Sequence, residues 1–174
     1  MLSACQIYDT ARLKQLDYQP KHNQAYIYCS GTTDCIFERV DEIAVVPEGS
    51  KRIDARAIQH KLVRLNQSYV GKENSLYLAV SPKQHEIVIR FYPISKDKAE
   101  KLHLIHSFKA DQKYTLHMYR DRSEKNGSLL ANSAPSPLCV ELLQENQIVR
   151  RFCKPYNALT GLGEFVEQKN LKSR

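Results

Sequence analysis

The chain of 174 residues contains no tryptophan, no apolar run long enough to cross a bilayer as a helix, and none of the short local signatures that mark common catalytic sites. Each absence narrows the function. Without tryptophan, and with ten tyrosines instead, a broad carbohydrate-stacking platform has little support. A spanning helix needs about 18 or more consecutive apolar residues, whereas the longest runs are strand-sized, such as IAVV at 43–46 and LYLAV at 76–80. No GxSxG elbow, HExxH helix, P-loop or dinucleotide fingerprint occurs. The sequence therefore predicts no catalytic residue, no metal ligand and no cofactor. An enzyme would need a site built from distant segments.

What is present is an ordinary globular composition, 42% hydrophobic and 26% charged, enough for one packed domain. The net charge is +7, with a pI of about 9.1. Its lysines and arginines are dispersed from Arg12 to Arg174, with only short groups such as Lys51-Arg52 and Arg150-Arg151. That spread describes a solvated surface rather than a nucleic-acid stripe, so nucleic acid is not an expected partner. The aromatic and basic stretches RFYPISK (90–96) and MYRDR (118–122) are the candidate segments for an anionic surface, glycan or peptide.

Three regions follow from texture. Residues 1–24 are a polar arm, 25–158 the folded body and 159–174 a tail holding at most one or two helical turns. Within the body, AYIYCS (25–30) and CIFERVDEIAVV (35–46) read as strands around a GTTD turn. SLYLAV (75–80) and HEIVIRFYPI (85–94) alternate strictly and predict a hairpin about SPKQ, with Glu86, Val88, Arg90 and Tyr92 on a part-solvated face. KLHLIHSFKA (101–110) and YTLHMYRDR (114–122) predict a second hairpin, and LCVELL (138–143) with QIVRRFC (147–153) a third. Residues 53–65 fit both a helix capped by Asp54 and an extended segment, with a lean to the latter. The fold class is mainly β: an antiparallel β-sandwich of immunoglobulin-like or related type with seven to nine strands and at most one or two short helices. A small closed barrel is the alternative.

Cysteines supply the next constraint. Setting Cys5 aside leaves Cys29, Cys35, Cys139 and Cys153. Cys139 and Cys153 flank the third hairpin and face each other if its turn centres on Glu145-Asn146-Gln147, which suits a cross-strand disulfide. Cys29 and Cys35 bracket SGTTD, so local pairing is expected there too, although four cysteines allow three connectivities. The histidines favour structural roles. His103 and His106 are three apart, on opposite faces of a strand, and cannot chelate one ion together. His106 falls with Leu104 and Phe108 as a core histidine, and His60, His85 and His117 lie on separate segments. Glu38, Asp41 and Glu42 are close in sequence with no nucleophile to pair with.

Two fragments carry a resemblance. Leu2-Ser3-Ala4-Cys5, followed by a polar tether, resembles the lipobox of bacterial lipoproteins, in which the cysteine receives diacylglycerol. With only Met1 ahead of that fragment, the terminus reads as the remnant of a truncated signal peptide. The resemblance implies acylation of Cys5 and membrane attachment through that anchor. Gln6, where an inner-membrane retention signal would place aspartate, implies the periplasmic face of the outer membrane. LYLAVSPKQHEIVIRFYP followed by FKADQKYTLHMY is similar to the PEGA-like sandwich domains of envelope proteins. The expected function is a non-catalytic binding, assembly or structural accessory of the bacterial envelope. Its expected partners are the membrane and an acidic envelope protein or anionic lipid. An enzyme or enzyme inhibitor with a loop-built site is the alternative, and a nucleic-acid-binding domain, resting only on the net charge, is the third reading.

Overall fold

The computed structural model describes residues 12–14, 22–32, 34–66, 74–122, 136–155 and 163–171. Cys5 lies outside them, as do Gln6 and Gly161. In chain order the elements are β1 (Ala25–Ser30), β2 (Cys35–Val40), β3 (Ile43–Ala44), α1 (Ala55–Gln59), β4 (Val63–Leu65) and β5 (Leu76–Val80). They continue with β6 (Gln84–Ser95), β7 (Lys98–Ser107), β8 (Lys113–Arg120), β9 (Leu138–Gln144), β10 (Gln147–Lys154) and β11 (Val166–Glu167). The protein is mainly β, as the alternating segments predict. The described strands exceed the expected seven to nine, because the pattern does not announce short pieces such as β3 and β11, each two residues long.

The strands form a seven-stranded sheet, in the order β11-β10-β9-β8-β1-β5-β4, and a four-stranded sheet, in the order β3-β2-β6-β7. Pairing is antiparallel except between β1 and β8, which run parallel with Tyr26 beside Lys113 and Ser30 beside His117. Inward side chains of both sheets meet in one buried cluster that includes Ile27, Leu78, Leu116 and Leu142 from the larger sheet and Phe37, Ile87, Ile89 and Leu104 from the smaller. Burying each large apolar side chain stabilises the fold by about 1.5–3 kcal/mol. Leu13, in the N-terminal arm, joins this cluster at 1% exposure.

The predicted hairpins divide. The third is present: β9 and β10 pair with Cys139 opposite Cys153, and Glu145 and Asn146 at its turn both have positive φ, 47° and 70°. That is the backbone required by a two-residue turn matching strand twist. The other two are replaced. β5 pairs with β1 and β4 in the larger sheet while β6 pairs with β2 and β7 in the smaller. Ser81-Pro82-Lys83 thus carries the chain from one sheet to the other, and residues 108–112 carry it back from β7 to β8. The true hairpin of this region joins β6 to β7, with Gln84 opposite Ser107 and Ser95 opposite Lys98.

Residues 53–65 hold both candidate structures in succession. The Asp54 carboxylate accepts from Arg56 N at 2.8 Å to cap α1, and Lys61, with φ 55°, turns the chain into β4. The tail differs from its helical expectation, since Val166 and Glu167 pair with Cys153 and Phe152. The second face of β6 is more buried than its mixed composition predicts. Val88 is 1% and Arg90 5% exposed, with the Arg90 guanidinium donating to the Val46 carbonyl at 2.8 Å and lying 3.2 Å from Glu38.

Candidate functional site

The crossover from β1 to β2 shapes a concavity on the larger sheet. β1 pairs with β5 only through Ala25, Tyr26 and Ile27. Beyond Ile27 it leaves β5 while staying paired with β8 through Ser30, and two devices fix the turn that follows toward β2. Gly31 adopts φ +90°, and a Cβ there would sit 2.0 Å from the Met118 carbonyl oxygen, so only glycine fits the close approach to β8. The Cys29–Cys35 disulfide then joins the two sheets, with Cα atoms 6.4 Å apart. Asn74, at φ 60°, braces this corner by accepting from Cys35 N at 2.8 Å and donating to the Thr32 carbonyl at 3.0 Å.

Where β1 leaves β5 a groove of about 260 Å³ opens. Tyr28 and Ser30 of β1, Lys113 and Thr115 of β8, and Asn66 and Asn74 line it, with Cys29 at its base. Period-two alternation explains the set. Ile27 and Cys29 point into the core, so Tyr28 and Ser30 point out, beside the outward Thr115 and His117. Tyr28 stacks on Tyr77 with centroids 4.8 Å apart and planes 16° from parallel. Tyr26 meets Tyr77 edge-on at 6.2 Å.

Two cations frame this aromatic trio. Lys113 Nζ lies over the Tyr28 ring at 4.8 Å. Arg64 lies over Tyr26 at 5.9 Å and donates to Gln24 Oε1 at 2.8 Å. Burial, followed by the neighbouring Tyr77 and Tyr26, pushes the Tyr28 phenol up to about 12; burial also raises Tyr77. Both hydroxyls are neutral donors at physiological pH. Behind the groove a polar chain runs across the sheet. Ser30 Oγ lies 2.9 Å from His117 Nδ1, His117 stacks on Tyr119 at 6.0 Å, and Tyr119 donates to Glu141 at 2.8 Å. Arg151 donates to the same carboxylate at 2.8 Å.

Of the residues singled out by sequence, all four described cysteines are paired as expected. Cys139 and Cys153 form a cross-strand disulfide with Cα atoms 4.1 Å apart. Cys29–Cys35 also forms, but it bridges sheets rather than closing a hairpin. The stretches RFYPISK and MYRDR are not brought together: Arg90 to Ser95 lie on β6 in the smaller sheet, and Met118 to Arg120 on β8 in the larger. Tyr28, Tyr77 and Lys113 were legible only as outward positions of their strands, because nothing local says that β1 and β8 are neighbours.

The carboxylate group gains a partner that sequence proximity does not reveal. His85 is 6% exposed; its Nδ1 lies 2.6 Å from Asp41 Oδ2, and its Nε2 lies 3.2 Å from Ser81 Oγ. This is the connectivity of an acid, a base and a hydroxyl. Burial raises the Asp41 carboxyl, but the Glu86 backbone N–H and His85 outweigh it and leave the group below its ordinary value. However, Nε2 also lies 3.0 Å from the Ser81 carbonyl oxygen, which itself accepts from Lys83 N. The group clamps the β2–β3 turn to the β5–β6 crossover. Of the other histidines, His106 packs against Phe108 at 4.8 Å and Tyr114 at 5.6 Å, half-buried on the face expected for it. His103 is exposed, 3.7 Å from Glu86. Among the described residues no group of three or more His, Cys, Asp or Glu is gathered to hold a metal.

Comparison with protein-family models, with curated proteins and with solved structures returns no match to this chain.

Proposed function

We propose that the protein is a lipid-anchored bacterial envelope lipoprotein that acts by binding, as an assembly or structural accessory, and that the groove on the larger sheet is its recognition surface. The observation that carries this is the groove itself: a cavity with outward aromatic, hydroxyl and ammonium groups, braced at one corner by an inter-sheet disulfide. Two sheets enclosing one core support a β-sandwich of immunoglobulin-like or PEGA-like type. Two disulfides fit an oxidising compartment, and Leu2-Ser3-Ala4-Cys5 supports acylation at Cys5 and residence at the periplasmic face of the outer membrane. The partners are the membrane, through the anchor, and an acidic envelope protein or anionic lipid.

The test is made in the native host. Mass spectrometry of the N-terminal peptide is expected to find acyl chains on Cys5, and a photo-crosslinking residue at position 115 is expected to give discrete adducts that the same residue at position 51 does not. An unacylated Cys5 followed upstream by retained sequence would remove the anchor. Equal crosslinking from both positions would remove the groove.

A second reading is favoured by the Asp41–His85–Ser81 chain, which is the constellation of nucleophilic acyl transfer. On that reading Ser81 Oγ attacks an ester carbonyl while His85 takes its proton; the ester C–O bond breaks, His85 passes the proton to the departing alcohol, and water then hydrolyses the acyl group from Ser81. Labelling by a fluorophosphonate probe that disappears in both Ser81→Ala and His85→Ala supports it; an unlabelled wild-type protein sinks it and leaves the clamp as the role of these residues.

A further inference from the structure

The groove has a feature that narrows its ligand. Both faces of the Tyr28 ring are occupied, one by Tyr77 and one by Lys113, so a sugar or base cannot stack there. What the ring offers instead is its hydroxyl, a neutral donor with no hydrogen-bond partner among the described residues. Over the same ring, Lys113 Nζ has its cation–π contact and no carboxylate partner among the described residues. Glu145, in the turn between β9 and β10, accepts from the Lys113 backbone N–H at 2.5 Å. Thr115 adds a hydroxyl two residues further along β8, across from Tyr28. Elsewhere on the molecule many of the basic side chains are spent in ion pairs, including Arg39 with Glu86, Arg150 with Glu167, Arg151 with Glu141 and Lys154 with Glu100.

Resting on the assignment of this groove as a recognition surface, we infer that it takes a phosphate ester, held by the Lys113 ammonium with the Tyr28 and Thr115 hydroxyls. The donors come from two strands and differ in kind, which suits a tetrahedral anion with several acceptor oxygens. A planar carboxylate is better matched by the bidentate guanidinium fork. The one arginine beside the trio, Arg64, is 3% exposed and engaged with Gln24, Tyr26 and Tyr77. The cavity of about 260 Å³ admits a headgroup-sized ligand, and the net charge of +7 draws anions toward it. The phosphate could be presented by a free small molecule or by a phospholipid headgroup, and the two sources are separable.

Amide and side-chain NMR titrations of the folded domain with glycerol 3-phosphate, and flotation with vesicles of equal parts phosphatidylglycerol and phosphatidylcholine, provide the test. Saturable shifts at Tyr28, Lys113 and Thr115 with the soluble ester identify a free ligand. Flotation with phosphatidylglycerol vesicles but not with pure phosphatidylcholine identifies the headgroup. In either case Lys113→Gln should weaken binding about tenfold and Tyr28→Phe about threefold, while Lys51→Gln, which removes the same charge from an exposed site, leaves it unchanged. Three outcomes overturn the inference: no response to either probe, equal weakening by Lys51→Gln, or glucuronate binding as tightly as the phosphate ester. If both probes fail while position 115 still gives specific crosslinks, the phosphate assignment falls and the recognition surface stands. If the probes bind but no specific crosslink forms, the protein-partner role falls.

Discussion

Replacing Gly31 by alanine tests how the crossover that opens the groove is held. Gly31 and Gly49 both have positive φ, +90° and +75°. An alanine at either site pays for the left-handed backbone, roughly 1–2 kcal/mol, and recovers about 0.4–1 kcal/mol because the unfolded chain becomes less free. At Gly49 nothing lies within 4 Å of the added Cβ, so the net loss should be about 0–1.6 kcal/mol. At Gly31 the same atom would lie 2.0 Å from the Met118 carbonyl oxygen and 2.9 Å from its carbon and nitrogen. These are backbone atoms of a central strand, so the contact cannot be relieved by a rotamer change. Overpacking of this kind adds about 1–3 kcal/mol or more, giving about 3 kcal/mol in total for Gly31→Ala. Urea unfolding of both variants, read by midpoint at equal m-value, measures the difference directly. Losses that agree within about 0.5 kcal/mol would refute the claim that close approach to β8, and not backbone conformation alone, demands glycine at position 31.

Other perturbations bear on the cross-links, the arm and a titrating core group. By chain-entropy closure, removing Cys139–Cys153 by double alanine substitution should cost about 3 kcal/mol and removing Cys29–Cys35 about 2.4 kcal/mol. The reverse order, measured in denaturant, would mean that joining the sheets adds native-state stabilisation beyond loop closure. Leu13→Ala should cost about 2–5 kcal/mol if the arm is a packed part of the body, and a loss near zero would return it to a tether. Burial, and then the nearby Arg150, hold His106 below its ordinary value of 6.5, with Lys109 acting in the same direction and Glu167 opposing. The unfolded chain therefore binds the proton more readily, and stability falls as pH drops through about 6.5. His106→Gln should flatten that part of the stability–pH curve between neutrality and pH 5, and an unchanged slope would clear His106 of the effect.

Local pattern carried much of the fold. Alternation in AYIYCS, HEIVIRFYPI and YTLHMYRDR identifies strands and names the buried face of each, because a pleated strand sends successive side chains to opposite sides. It does not name a partner. SLYLAV and HEIVIRFYPI look like a hairpin because a short turn separates them, yet the same turn serves equally well to pass between two sheets. Only at Glu145-Asn146, where two residues take positive φ, does the turn itself imply pairing. Residues 53–65 could not be resolved by periodicity because a helical turn and a three-residue strand each occupy less than the window in which either period is detectable.

The local pairing expected from the cysteines and the turns between them holds for both disulfides, since each joins residues near in sequence. What the Cys29–Cys35 bond connects was decided by tertiary structure: it ties one sheet to the other because β2 pairs with β6 and not with β1. The groove belongs to that second category as well. Tyr28 and Lys113 are 85 positions apart, on strands that run parallel, and a parallel pair needs a long intervening crossover that leaves no local trace. The same holds for Asp41, His85 and Ser81, which meet only when the β2–β3 turn folds over the crossover between the sheets. Composition and alternation specify which side chains face solvent. Which of them face one another depends on the order in which strands are laid into the sheets, and that is settled by the packing of one shared core.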